Sequence, residues 1–310
     1  MRIAVVGAGG VGGGFGAALA KAGADVTFIA RGAHLAAMKS QGLKVQGGRG
    51  ETHVVPTHAT SDPAGIGTVD FVLFCVKLWD VESAGAHIKP LIGPGTAVIP
   101  LQNGIDAAER LIPILGPAAV MGGVAQISAS IVAPGVIQQV GTFMRMIFGE
   151  LDGKPSKRGE DFLALCLKAG FDATLSDQIL TELWMKFILL ASNSGISALA
   201  RQPIGALRDD PDISPIFAAA YREVFDVGRA KGVALPADAT EKILDFTAHL
   251  PPTMKPSMAL DLDRGNRLEV PWLSGKVAEL GRQLGIPTPT HGMMYAMLKP
   301  YAMGTKSRET

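Results

Sequence analysis

A lysine interrupts an apolar helical segment in the second half of the chain. Lys186 stands in residues 183–190 (LWMKFILL). An unpaired buried ammonium is costly, so this lysine must reach solvent, find a carboxylate or line a polar cleft. Asn193 and Ser197 follow at i+7 and i+11, on nearly the same helix face. We expect this polar stripe to line a cleft; a lysine that reaches solvent at a domain edge is the alternative.

A glycine-rich turn near the start of the chain has the type and spacing that bind phosphate. It follows a short apolar run at residues 3–6 and precedes helical residues 15–22 and a second predicted strand at residues 25–30. Strand, GxGxxG, helix and strand together form the context that a dinucleotide-binding fingerprint requires. A glycine turn without a ligand is the alternative.

Each glycine of the fingerprint has a physical role. Gly7 permits the tight turn, Gly9 lets the backbone approach a pyrophosphate, and Gly12 lets the helix pack closely on the strand. The anion would then bind to the free N–H groups at the helix start. The predicted cofactor-binding residues of this turn are Gly7, Ala8, Gly9, Gly10, Val11 and Gly12.

The end of the second predicted strand discriminates between NAD and NADP. NAD sites usually have an acidic residue there, which accepts from the ribose 2′-hydroxyl. This chain has Arg31 instead. A guanidinium matches a 2′-phosphate in charge and in its planar set of donors. The sequence therefore predicts NADPH as the cofactor, and a solvated surface arginine is the alternative.

Two further polar residues follow apolar strands. Lys77 comes after residues 69–76, and Asn103 comes after residues 97–101. In an open parallel sheet, ligands bind beyond the carboxyl ends of the strands. We therefore expect Lys77 and Asn103 to face the ligand; a solvated lysine and an Asn-Gly turn are the alternatives.

The pattern of elements divides the chain in two. An α/β Rossmann-type dinucleotide-binding domain is predicted for residues 1–176, where residues 120–127 and 142–148 read as strands that close the sheet, with antiparallel pairing. An all-α domain is predicted for residues 177–310, with residues 181–200 as its central helix. Further helical segments are predicted near residues 212–231, 238–249, 257–264, 270–284 and 289–300.

Composition excludes several classes of function. Lys plus Arg total 29 and Asp plus Glu total 28, a net charge of +1 that argues against nucleic acid or an anionic membrane as the partner. Two cysteines, Cys75 and Cys166, and six histidines without HExxH spacing predict neither disulfides nor a metal site. The N-terminus reads as neither a signal peptide nor a membrane span. We expect a cytoplasmic location, and a homodimer is compatible with the apolar helical domain.

Over nearly its whole length the chain resembles the ketopantoate reductase family, which reduces 2-dehydropantoate (ketopantoate) to pantoate with NADPH in pantothenate and coenzyme A biosynthesis. The resemblance adds Glu269 and Ser257 to the candidate residues. It is carried by residues 7–12 (GAGGVG), Arg31, residues 76–77 (VK), 101–104 (LQNG), 183–187 (LWMKF), 257–261 (SMALD), Glu269 and residues 285–289 (GIPTP).

The resemblance implies a role for each matching residue. Lys186 matches the family's general acid, and Glu269 matches the glutamate that holds the substrate; these two are the predicted catalytic residues. Asn103 and Lys77 match residues placed where cofactor and substrate meet, so both are predicted to bind the cofactor, as is Arg31. Ser257 matches a serine that contacts the substrate carboxylate. The residues expected to bind substrate are Asn103, Lys186, Asn193, Ser257 and Glu269.

The chain also departs from the family pattern. Where well-studied members have asparagines, it has Leu190, Ser194 and Met254, which leaves fewer amides for the hydroxyls of pantoate. One alternative is therefore an NADP-dependent reductase of another small 2-oxo or hydroxy acid. Another is a non-catalytic NADP-sensing protein, against which the retained Lys186 and Glu269 argue.

Overall fold

The chain divides into two compact units. The computed structural model describes residues 1–305. The first unit consists of Met1–Gln102 and Asp106–Ile179, and the second consists of Asn103–Ile105 and the chain from Leu180 onward. The short segment Asn103–Ile105 thus belongs to the helical unit, although it directly follows a strand segment of the first unit.

The first unit contains ten strands and five helices. In chain order these are β1 (Arg2–Val6), α1 (Gly10–Lys21), β2 (Asp25–Ile29), α2 (Gly32–Gln41), β3 (Leu43–Gly47), β4 (Gly50–Val54), β5 (His58–Thr60), β6 (Phe71–Phe74), α3 (Val81–His87), β7 (Ala97–Pro100), α4 (Ala107–Leu115), β8 (Met121–Ala133), β9 (Val136–Glu150), α5 (Lys157–Lys168) and β10 (Asp172–Leu175).

Five strands form a parallel sheet in the order β5-β2-β1-β6-β7. Strands β6 and β7 are buried throughout and β1 is buried from its second residue, which accounts for their continuous apolar sequences. The strand order reverses between β1 and β6, and the carboxyl end of a sheet at such a switch point is where α/β proteins bind ligands. This arrangement confirms the predicted Rossmann-type fold.

The structure corrects the prediction for residues 120–127 and 142–148. Residues 121–127 and 142–148 lie in β8 and β9, and the two strands pair antiparallel, but neither strand joins the parallel sheet. Val120, just before β8, makes a single parallel bridge to Val98 of β7. Strands β8 and β9 belong to a second sheet of order β10-β9-β3-β4, in which β8 pairs with β9. The strands are 13 and 15 residues long and find their main partners in each other, a choice that apolar patterning cannot specify.

The second unit is helical, as predicted. Its helices are α6 (Ile179–Ala200), α7 (Ile204–Arg208), α8 (Ser214–Ala230), α9 (Ala239–Ala248), α10 (Ser257–Asp263), α11 (Ser274–Leu284) and α12 (Pro289–Leu298).

Helix α6 is the central helix of this unit. Phe187, Ile188 and Ala191 are at most 1% exposed and belong to its apolar core. Within residues 1–305, α6 is long and apolar enough to cross a membrane by length and composition alone, but 67% of its most apolar window is buried inside the protein. That burial is the pattern of a core helix.

Candidate functional site

The glycine turn between β1 and α1 has the geometry that the sequence predicts. Gly7 has φ +90°, and its N–H donates to the carbonyl of Ile29 at 3.0 Å. A Cβ at Gly7 would lie 2.9 Å from the backbone of Cys75, and one at Gly12 would lie 2.2 Å from the carbonyl oxygen of Gly7. Both positions therefore exclude a side chain. At Gly7 the positive φ and the nearby Cys75 backbone exclude it, and at Gly12 the close packing of helix on strand excludes it.

The remaining residues of the turn differ in what they face. Gly9 is the N-cap of α1, and a Cβ built there meets no atom within 4 Å. The Cα of Gly10 packs instead against β8, where a Cβ would lie 2.0 Å from the Ala129 carbonyl oxygen. Val11 is half-buried and Ala8 is 3% exposed. The open space at Gly9, next to the free N–H groups of the first turn of α1, fits a pyrophosphate.

Arg31 is the N-cap residue of α2 and is separated from the end of β2 by Ala30. Its side chain is 80% exposed, and its guanidinium lies 3.4 Å from Oδ2 of Asp80. A surface ion pair of this length is weak, so it leaves the guanidinium available to a 2′-phosphate. The assignment of Arg31 to NADPH stays a prediction.

Lys77 lies at the carboxyl end of β6, beside the glycine turn's strand. It is exposed, and its Nζ lies 5.6 Å from the centre of the Trp79 ring. The N–H of Cys75 donates to the carbonyl of Val6 at 2.7 Å, which fixes the ends of β1 and β6 side by side. Lys77 therefore follows the strand next to the predicted phosphate site.

The second unit brings together three of the predicted residues. Nζ of Lys186 donates to Oδ1 of Asn103 at 3.2 Å. Nδ2 of Asn103 donates to Oε2 of Glu269 at 3.2 Å. An ammonium, an amide and a carboxylate thus form one hydrogen-bonded row, which we call the Lys–Asn–Glu row.

The environment of each member explains its place in the row. Lys186 is half-buried on α6, where its neighbours Trp184 and Phe187 belong to the apolar core. Glu269 is 4% exposed and precedes the short turn Val270–Trp272. A carboxylate so deeply buried needs charged or polar partners, and the amide of Asn103 is one of them.

Burial lowers the pKa of Lys186 from its ordinary value to about 8, and the charge of Glu269 opposes this shift. At neutral pH the lysine therefore keeps its proton, but it releases that proton far more readily than a solvated lysine does. An ammonium of this kind can protonate an oxygen on which negative charge develops.

Asn193 lies in a different hydrogen-bond network. It is 3% exposed, and its Oδ1 accepts from the Tyr221 hydroxyl at 2.5 Å; that hydroxyl also lies 2.9 Å from Oγ1 of Thr247. Within residues 1–305, Nδ2 of Asn193 and Oγ of Ser197 are buried without a hydrogen-bond partner. The sequence predicts the polar stripe but not Tyr221 or Thr247, since nothing in their local patterns distinguishes them from ordinary helix residues.

The other substrate candidate and the departures from the family pattern lie elsewhere in the second unit. Ser257 is exposed and is the first residue of α10. Leu190 is half-buried, Ser194 is completely buried, and Met254 is 36% exposed. The role of Ser257 in substrate binding stays a prediction.

The first unit is of the Rossmann type and carries the glycine turn, and the helical unit carries the Lys–Asn–Glu row. Together they define a dinucleotide-dependent oxidoreductase that acts on CH–OH groups. The chain belongs to the ketopantoate reductase family PanE/ApbA. The model of the family's N-terminal part matches residues 3–153, and that of its C-terminal part matches residues 178–302.

Individual relatives cover almost the whole chain. The 2-dehydropantoate 2-reductase of Mesorhizobium japonicum is 31% identical over 98% of both chains. The crystal structure of a PanE/ApbA family ketopantoate reductase from Ralstonia eutropha has a TM-score of 0.89 and 32% identity, covering 97% of this chain and 98% of that one. The crystal structure of 2-dehydropantoate 2-reductase from Geobacter metallireducens has a TM-score of 0.90 and 29% identity, covering 97% of this chain and 99% of that one.

Proposed function

We propose that the protein reduces 2-dehydropantoate to pantoate with NADPH and that Lys186 is the general acid. The observation that carries this proposal is the Lys–Asn–Glu row, in which a readily released proton is held beside a buried carboxylate. The relatives named as 2-dehydropantoate 2-reductases support the choice of substrate.

Each unit has its own part in this reaction. The first unit would hold the cofactor through the backbone of the glycine turn and through Arg31, with Lys77 beside it. The second would hold the 2-oxo acid through Glu269 and Ser257. When bound, NADPH supplies the hydride that reduces the keto carbon. One hydride and one proton then convert the keto acid to the hydroxy acid.

The protein itself supplies the proton for this reduction, through Lys186. As the keto carbon is reduced, negative charge builds on its oxygen, and Lys186 stabilises that charge and then protonates the oxygen. Asn103 accepts from the Lys186 ammonium and so orients it, while the charge of Glu269 keeps it protonated at neutral pH. Lys186 regains its proton from solvent after product release.

A different 2-oxo or hydroxy acid is the second candidate substrate. Leu190, Ser194 and Met254 replace amides that would bind the hydroxyls of pantoate, so the site of this chain offers fewer hydrogen bonds to a polyol. A reducing cytoplasm is the setting that we propose for either reaction, since both cysteines are free. The homodimer stays a prediction from the apolar character of the helical unit.

A substrate panel tests the proposed function. The purified protein would be given NADPH with 2-dehydropantoate, and in parallel with 2-oxo acids that lack its hydroxyl group, and NADPH oxidation would be followed by absorbance. The highest kcat/KM on 2-dehydropantoate supports the proposal, and a higher value on another acid supports the second candidate. Tight NADPH binding without turnover of any acid would identify an NADP-sensing protein instead.

A further inference from the structure

A histidine outside the predicted site connects the glycine turn to the second sheet. His34 lies on α2, and its Nε2 is 2.9 Å from the carbonyl oxygen of Ala8. On the other side of the ring, Nδ1 lies 3.0 Å from the backbone nitrogen of Gly135, in the turn between β8 and β9. All three residues belong to the first unit.

The two backbone partners determine the state of the ring. The N–H of Gly135 can only donate, so Nδ1 of His34 must be an unprotonated acceptor. The carbonyl of Ala8 can only accept, so Nε2 must carry the hydrogen. The geometry therefore requires the neutral ring in its Nε2–H form. Burial favours the same state, since it lowers the pKa of His34.

The contacts of His34 with Ala8 and with Gly135 form a bridge, and the Gly135 end of this bridge is fixed independently of His34. Gly135 is buried, its carbonyl accepts from the N–H of Lys44 at 2.9 Å, and a Cβ at this position would lie 3.1 Å from Cβ of Ala37 on α2. The turn therefore holds Nδ1 of His34 in place, and the ring then directs Nε2 toward the carbonyl of Ala8.

The Ala8 end determines a backbone orientation in the glycine turn. In a trans peptide the C=O and the following N–H point in opposite directions. Because His34 holds the Ala8 carbonyl toward itself, it holds the N–H of Gly9 away from itself. Gly9 is the residue whose Cα borders open space at the start of α1.

We propose that His34 is a positioning residue for the cofactor: it orients the Ala8–Gly9 peptide so that the Gly9 N–H donates to the pyrophosphate. The inference rests on the proposed function, because it assumes that the turn binds NADPH. It assigns to His34 a role in the affinity for the pyrophosphate and none in the affinity for the 2′-phosphate.

Two substitutions separate the two halves of the bridge. In His34→Gln the amide nitrogen can reach the place of Nε2 and keep the hydrogen bond to Ala8. In His34→Asn the amide oxygen can take the place of Nδ1 and keep the hydrogen bond from Gly135, but nothing reaches Ala8. His53→Asn is the matched control, because His53 contacts the carbonyl of Gln41 at 2.8 Å, at the other end of α2.

Dissociation constants provide the test. NADPH would be titrated by fluorescence, with adenosine 2′-monophosphate, which lacks a pyrophosphate, as a competing ligand. We expect His34→Asn to weaken NADPH about three- to tenfold, the loss expected for one neutral hydrogen bond. Its affinity for adenosine 2′-monophosphate, and the NADPH affinities of His34→Gln and His53→Asn, should stay within about twofold of wild type.

Each contrary result overturns the inference. If His34→Asn weakens the binding of both ligands equally, the histidine only stabilises α2. If it weakens the binding of neither, the Ala8 contact does not affect cofactor binding. If the variant does not fold, ¹⁵N NMR of the wild-type ring still decides, since a hydrogen on Nδ1 at neutral pH would contradict the geometry. Failure of the wild type itself to bind NADPH would instead overturn the proposed function.

Discussion

The side-chain amide of Asn103 donates to the carboxylate of Glu269 across 166 residues of sequence, at a distance of 3.2 Å. The oxygen of the same amide accepts from Lys186. This pair of contacts fixes the orientation of the amide, because a flipped amide would place its NH2 against the ammonium and its oxygen against the carboxylate. Asn103 thus fixes the Lys186 ammonium and the Glu269 carboxylate relative to each other, through an amide that does not titrate.

Removal of this amide should impair catalysis. Asn103→Ala takes from Lys186 the hydrogen bond that orients it, and a hydrogen bond to a charged group contributes about 1.5–3 kcal/mol. We expect kcat to fall about 10- to 150-fold, with the affinity for NADPH less affected. Steady-state kinetics and NADPH titration measure both. A kcat within about threefold of wild type would show that Asn103 does not orient the acid.

Lys186→Gln tests the general acid itself. Glutamine fills most of the space and can donate a hydrogen bond, but it cannot deliver a proton. General acid catalysis contributes about 10²–10⁴-fold, so kcat should fall by about that factor while the protein stays folded and binds NADPH. Lys242→Gln on α9, an exposed lysine of the same unit paired with Asp238, is the control and should leave kcat unchanged. Near wild-type turnover by Lys186→Gln would exclude Lys186 as the acid.

A double-mutant cycle tests the electrostatic coupling of Lys186 and Glu269. Lys186→Met removes a positive charge near a carboxylate that is only 4% exposed. Without this neighbouring charge the buried carboxylate is destabilising, whereas the neutral pair Lys186→Met, Glu269→Gln avoids that penalty. We therefore expect the double variant to unfold at a higher denaturant concentration than Lys186→Met alone. Strictly additive effects on the free energy of unfolding would show that the two groups are not coupled.

The sequence predicts the parts of this site that depend on local pattern. The glycine turn is recognisable because strand, turn and helix are consecutive, and Lys186 is recognisable because it is the charged residue in an apolar segment. The contact of Asn103 with Glu269 depends on tertiary packing and has no local signal. The same holds for the bridge from His34 to Ala8 and Gly135, and for the pairing of β8 with β9 instead of β7. Strand patterning specifies that a segment is buried, but it does not specify its partner.

Arg31 should determine the preference between cofactors. Its guanidinium is exposed and only weakly paired with Asp80, so it can bind a 2′-phosphate. We expect the wild type to bind NADPH more tightly than NADH, and Arg31→Ala to weaken NADPH about 10- to 150-fold with little change for NADH. Lys39→Ala, an exposed position on the same helix, is the control. Equal affinities of the wild type for the two cofactors would contradict the assignment.

The pH dependence of turnover should report the proton of Lys186. The pKa of this lysine is lowered to about 8, so its acid form predominates below that pH and is lost above it. We therefore expect kcat/KM for the 2-oxo acid to be highest near neutral pH and to fall as the pH rises through about 8, because kcat/KM reports the ionisation of the enzyme before the acid binds. Glu269→Gln removes the charge that opposes this shift, which lowers the pKa of Lys186 further and should move the alkaline fall to lower pH, whatever the loss in absolute rate. The measurement is kcat/KM for the 2-oxo acid as a function of pH for both proteins. A fall at the same pH in both, or an increase of wild-type kcat/KM above pH 8, would mean that another group supplies the proton.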